Sequence, residues 1–433
     1  MNSFVRTVTE PAGCDKCLTL QFGLRKVRDS MLVRFSVENF LSFGPRWELD
    51  LRPTGDELGP DLGRSLPDGS QVLTRVLLCG AAGQGKSNLL KALSYLRQLL
   101  LHGNGPTQGH EHGKRPQRPQ LMPCRLLDPP QPTTRFALTA LCDELLFRYE
   151  LAVRAEQIEA ESLFLTAPGE PEAMVFVRER KNPILQFTDV KVGPGAGPER
   201  GLIETLAVTV APEQPLVAEA LASQSKVLLP LATWSADRLQ LVRPEPRVTG
   251  LAARCAHHPD FAARLAELLR SVGLPVTQVV ARKTPIGPDY FETEEEQRQV
   301  VHALLGYSDA FVQTHDGELI AKREGSFVDL FLTSLLIGMH GPTGRESDFS
   351  TSELSDSTLR LLHLSPLALR DAQHPSPVFV VDDLGRGLSA KVVAQLLDYP
   401  ERPRDVQLLA TALPDSELLG CFPPAARRSL PSS

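Results

Sequence analysis

The chain has 433 residues, 42% of them hydrophobic and 23% charged, so it can bury a sizeable core and is not disordered overall. Its formal charge of −6, from 46 basic and 52 acidic residues, excludes a generically basic DNA-coating protein but permits a local basic groove. No apolar run is long enough to cross a membrane as a helix, and the first 30 residues lack the pattern of a secretory signal.

Taken in chain order, Met1 to Ser30 shows no clear periodicity and reads as a loose extension or a mis-assigned start, with Met31 as the alternative beginning. Alternation of Leu32, Arg34, Ser36 and Glu38 against Val33, Phe35 and Val37 predicts a strand. A second strand, Trp47–Leu51, follows a turn at Ser42–Pro45. Val72–Cys79 has the apolar character of a buried strand; a glycine-rich turn follows, then a helix from about Lys86 to Leu101. Leu89, Leu90, Leu93, Leu96 and Leu100 give that helix an apolar face. His102 to Pro132 reads as a long loop rich in Gly, Pro, His and Gln.

Residues 134–187 predict an antiparallel meander, with strands at Arg135–Leu138, Leu145–Val153, Ser162–Leu165 and Met174–Val177. Residues 188–200 read as another loop, and helices are expected around 216–240, at Phe261–Val272 and at Glu292–Leu305. The last third predicts a helix near Asp356–Leu369, a strand at Val378–Val381, a helix near Ala390–Leu397 and a strand at Val406–Ala410. This alternation, joined to the strand at 72–79, points to a mostly parallel sheet. The tail from Phe422 is expected to be mobile, and there is neither a repeat of fixed period nor a sustained heptad pattern.

Gly80-Ala-Ala-Gly-Gln-Gly-Lys-Ser87 satisfies G-x-x-x-x-G-K-[ST] without a gap. Glycines let such a loop wrap closely round phosphate oxygens, so that backbone N–H groups point inward, and the helix that follows adds its positive end. Gly80, Gly83, Gln84, Gly85, Lys86, Ser87 and Asn88 are the candidate nucleotide-binding residues. Lys86 would reach the β- and γ-phosphates, and the Ser87 hydroxyl would ligate Mg²⁺. Val378–Val381 is an apolar strand ending in two acids: Asp382 is the metal-side carboxylate, and Asp383 stands where the water-activating, catalytic residue would be.

At this point the chain resembles a known family. Met31-Leu-Val-Arg-Phe-Ser-Val-Glu-Asn-Phe-Leu-Ser-Phe43 and Cys79-Gly-Ala-Ala-Gly-Gln-Gly-Lys-Ser-Asn-Leu-Leu-Lys-Ala-Leu-Ser-Tyr-Leu96 look like the amino-terminal half of ABC-like AAA ATPases. These are proteins of the overcoming-lysogenization-defect and abortive-infection group, with heads similar to those of RecF and SMC. The resemblance continues through Phe147–Leu151, Ile158–Leu163, Ser355–Leu362 and the Asp382-Asp383 strand, spanning about residues 31–420. It implies an α/β P-loop NTPase fold with an ABC/SMC-head-like mixed sheet, an antiparallel β meander and a helical lobe. The implied head spans 31–425, built from a P-loop lobe (31–101), the meander (123–187), a helical or insert lobe (200–340) and a signature lobe (350–420), with 1–30 and 426–433 as flexible ends.

The resemblance also implies an ATP-binding head that dimerises head to tail, the nucleotide lying between the loop of one copy and a signature serine of the other. Ser355 in Leu354-Ser-Asp-Ser-Thr358 matches that serine, although a serine at a helix start is by its own chemistry an N-cap. The family's signature glycine is Ser357 here, its Asp-Glu pair is Asp382-Asp383, and its switch histidine falls on Leu413. Its Leu-His-Pro reads Leu388-Ser389-Ala390. The binding element is whole while hydrolysis elements are altered.

The implied function is an ATP-binding protein, a Mg²⁺-dependent ATPase of ABC/SMC-head type with nucleotide-driven dimerisation, in phage (antiviral) defence or a DNA-related process. The alternative is a non-hydrolysing ATP-dependent switch or scaffold for a partner effector, which Asp383, Ser357 and Leu413 favour. The expected partners are ATP with Mg²⁺, a second copy of the chain and a partner effector protein, with DNA left open and no membrane. Seven cysteines, odd in number and scattered, suit a reducing cytoplasm. Cys14-Asp-Lys-Cys17 has no second pair to complete a zinc site, and His102, His110 and His112 lie in a polar loop. His340 matches a histidine seen ahead of the family signature, and Glu292–Glu296 reads as the acidic start of a helix.

Overall fold

The computed structural model describes residues 16–17, 30–54, 62–102, 120–180, 187, 189–246, 248–305, 310–324, 327–369 and 377–430. The Cys14/Cys17 thiols and His110 and His112 lie outside the described residues, as does the His102 side chain. The fold is mixed α/β and divides into two compact units. The larger comprises Arg28–Val242, Ser376–Leu384 and Arg404–Ser433, the smaller Met1–Val27, Arg243–Pro375 and Gly385–Pro403.

In the larger unit a seven-stranded antiparallel sheet has the order Asp189–Val192, Ala173–Glu179, Gln157–Thr166, Leu145–Arg154, Thr134–Cys142, Ser30–Glu38, Trp47–Asp50. The strand expected from Met31 onward is present and alternates in part: Val33, Phe35 and Val37 are buried and Arg34 and Glu38 half-buried, while Leu32 and Ser36 are buried as well. The meander is longer than its apolar runs indicate, because polar residues such as Gln157 and Glu161 also pair. A second sheet of five strands is wholly parallel, in the order Leu239–Val242, Val378–Val381, Gln407–Ala412, Arg75–Cys79, Arg427–Ser429. Gln407, fully buried, joins the two sheets: its Oε1 accepts from Leu32 N–H at 2.7 Å, and its Nε2 donates to Leu32 O at 2.9 Å and Leu73 O at 2.8 Å.

Several expectations change. The strand expected at 72–79 is two, Gln71–Leu73 and Arg75–Cys79, because the chain passes at Thr74 from a hairpin with Gly63–Ser65 into the parallel sheet. The expected loop at 188–200 contains the strand Asp189–Val192 and the 3₁₀ turn Pro194–Glu199, followed by the helix Arg200–Thr209. The single helix expected around 216–240 is broken into short turns, with Gln224 left-handed at φ 55° and Pro230 in the first turn of the next helix, Leu229–Thr233, and ends in the strand Leu239–Val242. The expected flexible tail supplies Arg427–Ser429 to the parallel sheet. Within the expected flexible extension, Lys16–Cys17 pair with Val312–Thr314.

Inside the meander Glu161 and Arg178 are both fully buried and bonded, Arg178 Nε donating to Glu161 Oε2 at 2.7 Å. Tyr149 Oη and Leu216 N–H also donate to Glu161, and Arg178 Nη2 donates to Gln214 O, so the pair ties the 214–216 segment to the sheet. Burial, with the neighbouring Glu161 charge, pushes the Tyr149 phenol well up.

The helical or insert lobe expected over 200–340 falls in both units, and from Arg243 on, in the smaller unit, it includes helices and strands of a six-stranded antiparallel sheet. Its path is Lys16–Cys17, Val312–Thr314, Glu318–Glu324, Phe327–His340, Val276–Pro285, with Glu346–Ser350 also on Phe327–His340. The helices Pro259–Ser271, Glu294–Leu305 and Asp356–Leu364 fall near their predicted places, the last ending in a 3₁₀ turn at Ser365–Leu367. Among the described residues no helix is long and apolar enough to cross a membrane.

Glu318, 3% exposed, caps the helix Leu251–His257 from a strand: it accepts from Gly250 N–H at 2.6 Å and Ala253 N–H at 2.7 Å. Burial raises its carboxyl to about 7, outweighing these amides. Between about 4.5 and about 7 the folded state therefore binds the Glu318 proton and the unfolded state does not, so this group's contribution falls as pH rises, by about 3 kcal/mol at most. Urea unfolding at pH values on either side of this window should show Glu318→Gln with a shallower loss of stability than the parent; parallel pH profiles would contradict this assignment.

Candidate functional site

The five parallel strands share one carboxyl edge, where open α/β sheets place their ligands. Cys79 lies opposite Ala412, Leu78 opposite Thr411, and Val381 opposite Ala410. The glycine-rich loop leaves from Cys79 and the acid pair from Val381, two strand spacings or about 10 Å apart at that edge.

In the loop, Gly83 has φ 82° and Gly85 φ 95°. A side chain at 83 would point into open space, so the backbone alone requires glycine there, whereas a Cβ at 85 would also collide with Ser42 Oγ. Lys86 curls onto the loop, its Nζ donating to Gly80 O at 2.6 Å and Ala81 O at 2.8 Å. Gln84 Oε1 accepts from Ala81 N–H at 2.6 Å, an acceptor oxygen seated against a loop amide. Asn88 Nδ2 donates to Ser42 Oγ at 2.9 Å, and Ser87 is exposed in the first turn of the helix Lys86–His102. Further along that helix Arg97 donates to Ser235 O at 2.7 Å and Ala236 O at 2.9 Å, inside a π turn. Partial burial of Asp237 in this turn pushes its carboxyl up to about 7 against the pull of Arg238 and Arg97, and burial of the Cys79 thiol pushes it up as well.

On the acid side, Asp382 is 5% exposed and Asp383 is exposed. A single hydroxyl serves both: Thr411 Oγ1 donates to Asp382 Oδ1 at 2.8 Å and accepts from Asp383 N–H at 2.9 Å. Asp383 has φ 48°, rare for a side-chain-bearing residue, and Leu384 N–H to Thr411 O at 3.1 Å closes the turn behind it. Leu413, two residues beyond Thr411, is 46% exposed.

Gly80, Gly83, Gln84, Gly85, Lys86, Ser87, Asn88, Asp382 and Asp383 all belong to the larger unit, and Ser355 belongs to the smaller. There Ser355 caps the helix Asp356–Leu364, its Oγ accepting from Thr358 N–H at 3.3 Å. Ser357 is exposed beside Gly387, and Ser389 caps the helix Ala390–Leu397. His340 is exposed, with its residue opposite Glu346 across two strands, and Glu294–Glu296 form the acidic first turn of their helix.

Loop and acids suit a magnesium-bound polyphosphate. The loop's main-chain amides and the Lys86 ammonium are the kinds of donor that phosphate oxygens take, and the Ser87 hydroxyl and Asp382 carboxylate are the hard oxygens Mg²⁺ prefers. Among the described residues no cluster of three or more His, Cys, Asp or Glu forms a separate metal site. Two site residues escape the motif. Ser42, in the turn between the first two strands, meets the loop through a bend in which Asn39 and Leu41 have φ 55° and 51°. Thr411 meets the acids only because strands distant in sequence lie in register.

The chain matches no protein-family description and no curated protein. Among solved structures it is similar to an SMC head bound to the C-terminal winged-helix domain of ScpA, at 12% identity over 90% of this chain and 91% of that one, with TM-score 0.38. The SMC head domain from Thermotoga maritima is similar at 12% identity, covering 88% of each chain with TM-score 0.33. The recombination mediator RecF in its ATPrS form is similar at 14% identity over 91% of this chain and 95% of that one, with TM-score 0.38. In three dimensions these likenesses are loose.

Because Thr411 is fully buried, Thr411→Val keeps its shape while stripping a donor from Asp382 and an acceptor from Asp383. Chemical denaturation should register a loss of about 1–3 kcal/mol. An unchanged unfolding midpoint would show that the hydroxyl does not hold the two acids.

Proposed function

We propose that the chain binds ATP as its magnesium complex and hydrolyses it slowly. The observation that carries this reading is the loop itself: Gly83 and Gly85 in left-handed conformation, with Lys86 against the Gly80 and Ala81 carbonyls, at the carboxyl edge that also carries Asp382. Lys86 and the loop amides hold the phosphate tail, and Gln84 gives up the Ala81 amide to a phosphate oxygen. Ser87 and Asp382 hold Mg²⁺, which when bound offsets phosphate charge and polarises the γ-phosphoryl group. Asp383 orients and deprotonates the attacking water, with its backbone fixed by Thr411.

Head-to-tail pairing of two copies, with Ser355 of one reaching the nucleotide of the other, belongs to the same proposal and rests on the resemblance in the signature segment. A place in phage defence or a DNA-related process, a partner effector and a cytoplasmic location belong to it too. The location is supported by Cys79, Cys124 and Cys142, which are free thiols. A second reading, a nucleotide-driven switch without productive turnover, is favoured by two features. Asp383 is one methylene shorter than glutamate, and an exposed leucine, Leu413, occupies the position of the switch histidine.

Calorimetry and phosphate release on the parent, Lys86→Ala and Asp383→Asn separate these readings. Lys86→Ala should weaken Mg·ATP binding by roughly 10- to 100-fold through loss of charge-assisted bonds. Asp383→Asn should keep the affinity and abolish turnover. Binding in the parent with no phosphate released above the Lys86→Ala background would leave only the switch. No ATP-dependent heat at all would remove both.

A further inference from the structure

The last described residues of the chain lie against the start of the nucleotide loop. Arg427, Arg428 and Ser429 pair in parallel with Leu77, Leu78 and Cys79, making the strand that feeds the loop an internal one. Arg428 anchors this short strand by donating to Asp50 O at 3.1 Å and Arg52 O at 2.6 Å, and Arg427 donates to Phe422 O at 3.0 Å and Leu419 O at 2.8 Å. Leu430 follows, 5% exposed, its N–H bonded to Cys79 O at 2.9 Å. Its side chain packs so closely on Gly80 that a Cβ there would lie 3.0 Å from Leu430 Cδ1.

The peptide joining Cys79 to Gly80 is thus gripped from two sides, Cys79 O by Leu430 and Gly80 N–H by Ala412 O at 3.2 Å. The next carbonyl, Gly80 O, receives the Lys86 ammonium at 2.6 Å. Orientation passes from the tail strand to the peptide and from the peptide to the lysine. Gly80 is not left-handed, so crowding by Leu430 and by Gln84 Oε1, 3.1 Å from the same Cβ position, keeps it without a side chain.

We infer that Leu430 is a positioning residue for the nucleotide loop: the carboxyl-terminal strand clamps the Cys79–Gly80 peptide and thereby sets where Lys86 meets the phosphates. This rests on the ATP-binding reading above. The clamp adds an edge strand of three residues, so its docking can be loosened without dismantling the sheet.

The test is a double-mutant cycle in the full chain, reading Mg·ATP affinity by calorimetry and integrity by thermal unfolding. Leu430→Ala should weaken Mg·ATP by roughly three- to tenfold. Gly80→Ala should weaken it further in the parent than in the Leu430→Ala background, where the leucine no longer crowds the new methyl group. Non-additivity in affinity larger than the non-additivity in unfolding is the readout that loss of packing alone would not produce. Leu430→Val carries the same cycle if the alanine variant fails to fold. A folded Leu430 variant with parental affinity, or strictly additive effects with Gly80→Ala, overturns the clamp while an effect of Lys86→Ala keeps the ATP reading intact. A parent that binds no ATP overturns both.

Discussion

Parallel pairing of Arg75–Cys79 with Gln407–Ala412 is the constraint on which the site depends. A parallel neighbour turns two loops from remote parts of the chain to the same side, and register decides how far along that side each emerges. Here Cys79 is level with Ala412, so the first loop glycine bonds to that strand's last carbonyl and Thr411 is left one step inside, facing Asp382. A slip of one residue would turn the Thr411 side chain to the opposite face and strip the acids of their shared hydroxyl.

The antiparallel sheet is attached to this arrangement by polar contacts that are each fully committed. Gln407 spends both ends of its amide on backbone groups of Leu32 and Leu73, next to the register shift between Leu32 and Arg34. A buried amide with every bond made fixes one alignment, since any sliding would leave polar atoms unsatisfied in an apolar setting. Farther along, Asn39 has φ 55° and its side chain bonds to Gln131 O, Thr133 O and Cys124 N–H. These bonds hold a backbone conformation that costs free energy, and the result is a bend carrying Ser42 to within contact of Gly85 and Asn88. Rigidity in one sheet is thereby passed to a loop that belongs to the other.

What the sequence displays follows from the range of the forces involved. The loop is legible because its requirements are local: left-handed glycines, an amine and a hydroxyl at fixed steps before an amphipathic helix. The strands Val33–Val37 and Val378–Val381 are legible because burial writes a period of two or an unbroken apolar run. Phe327–His340 is not, since Leu335, Leu336 and Ile337 are all buried in succession and such a run suits helix and strand alike. The leucine- and alanine-rich stretch after Pro215 reads as one helix but is cut where Gln224 turns left-handed, and it restarts at Leu229 with Pro230 in the first turn. Arg427–Ser429 carries no apolar signal; its strand forms by pairing with the backbone of Leu77–Cys79, which among the described residues has no other strand on that side. Thr411 and Ser42 belong to the same class, meaningful only after distant segments have met.

The asymmetry between the loop and the acid pair has a physical root in Thr411. A hydroxyl has one proton to give, and Asp382 Oδ1 takes it, so the lone pairs that remain face the Asp383 amide. That second bond stabilises Asp383 at φ 48°, a conformation natural to glycine and costly for aspartate. Side-chain direction follows backbone direction, so the reach of the short Asp383 carboxylate is fixed by a bond whose other end orients Asp382. A longer acid could bend round this limit through an extra rotatable bond; aspartate cannot. In the loop only Lys86 reaches through a side chain, and the main-chain amides keep their aim whatever the side-chain length. On the reading proposed above, the aim of the Asp383 carboxylate at water follows the bond from Asp383 N–H to Thr411, whereas the hold of main-chain amides on phosphate does not depend on side-chain reach.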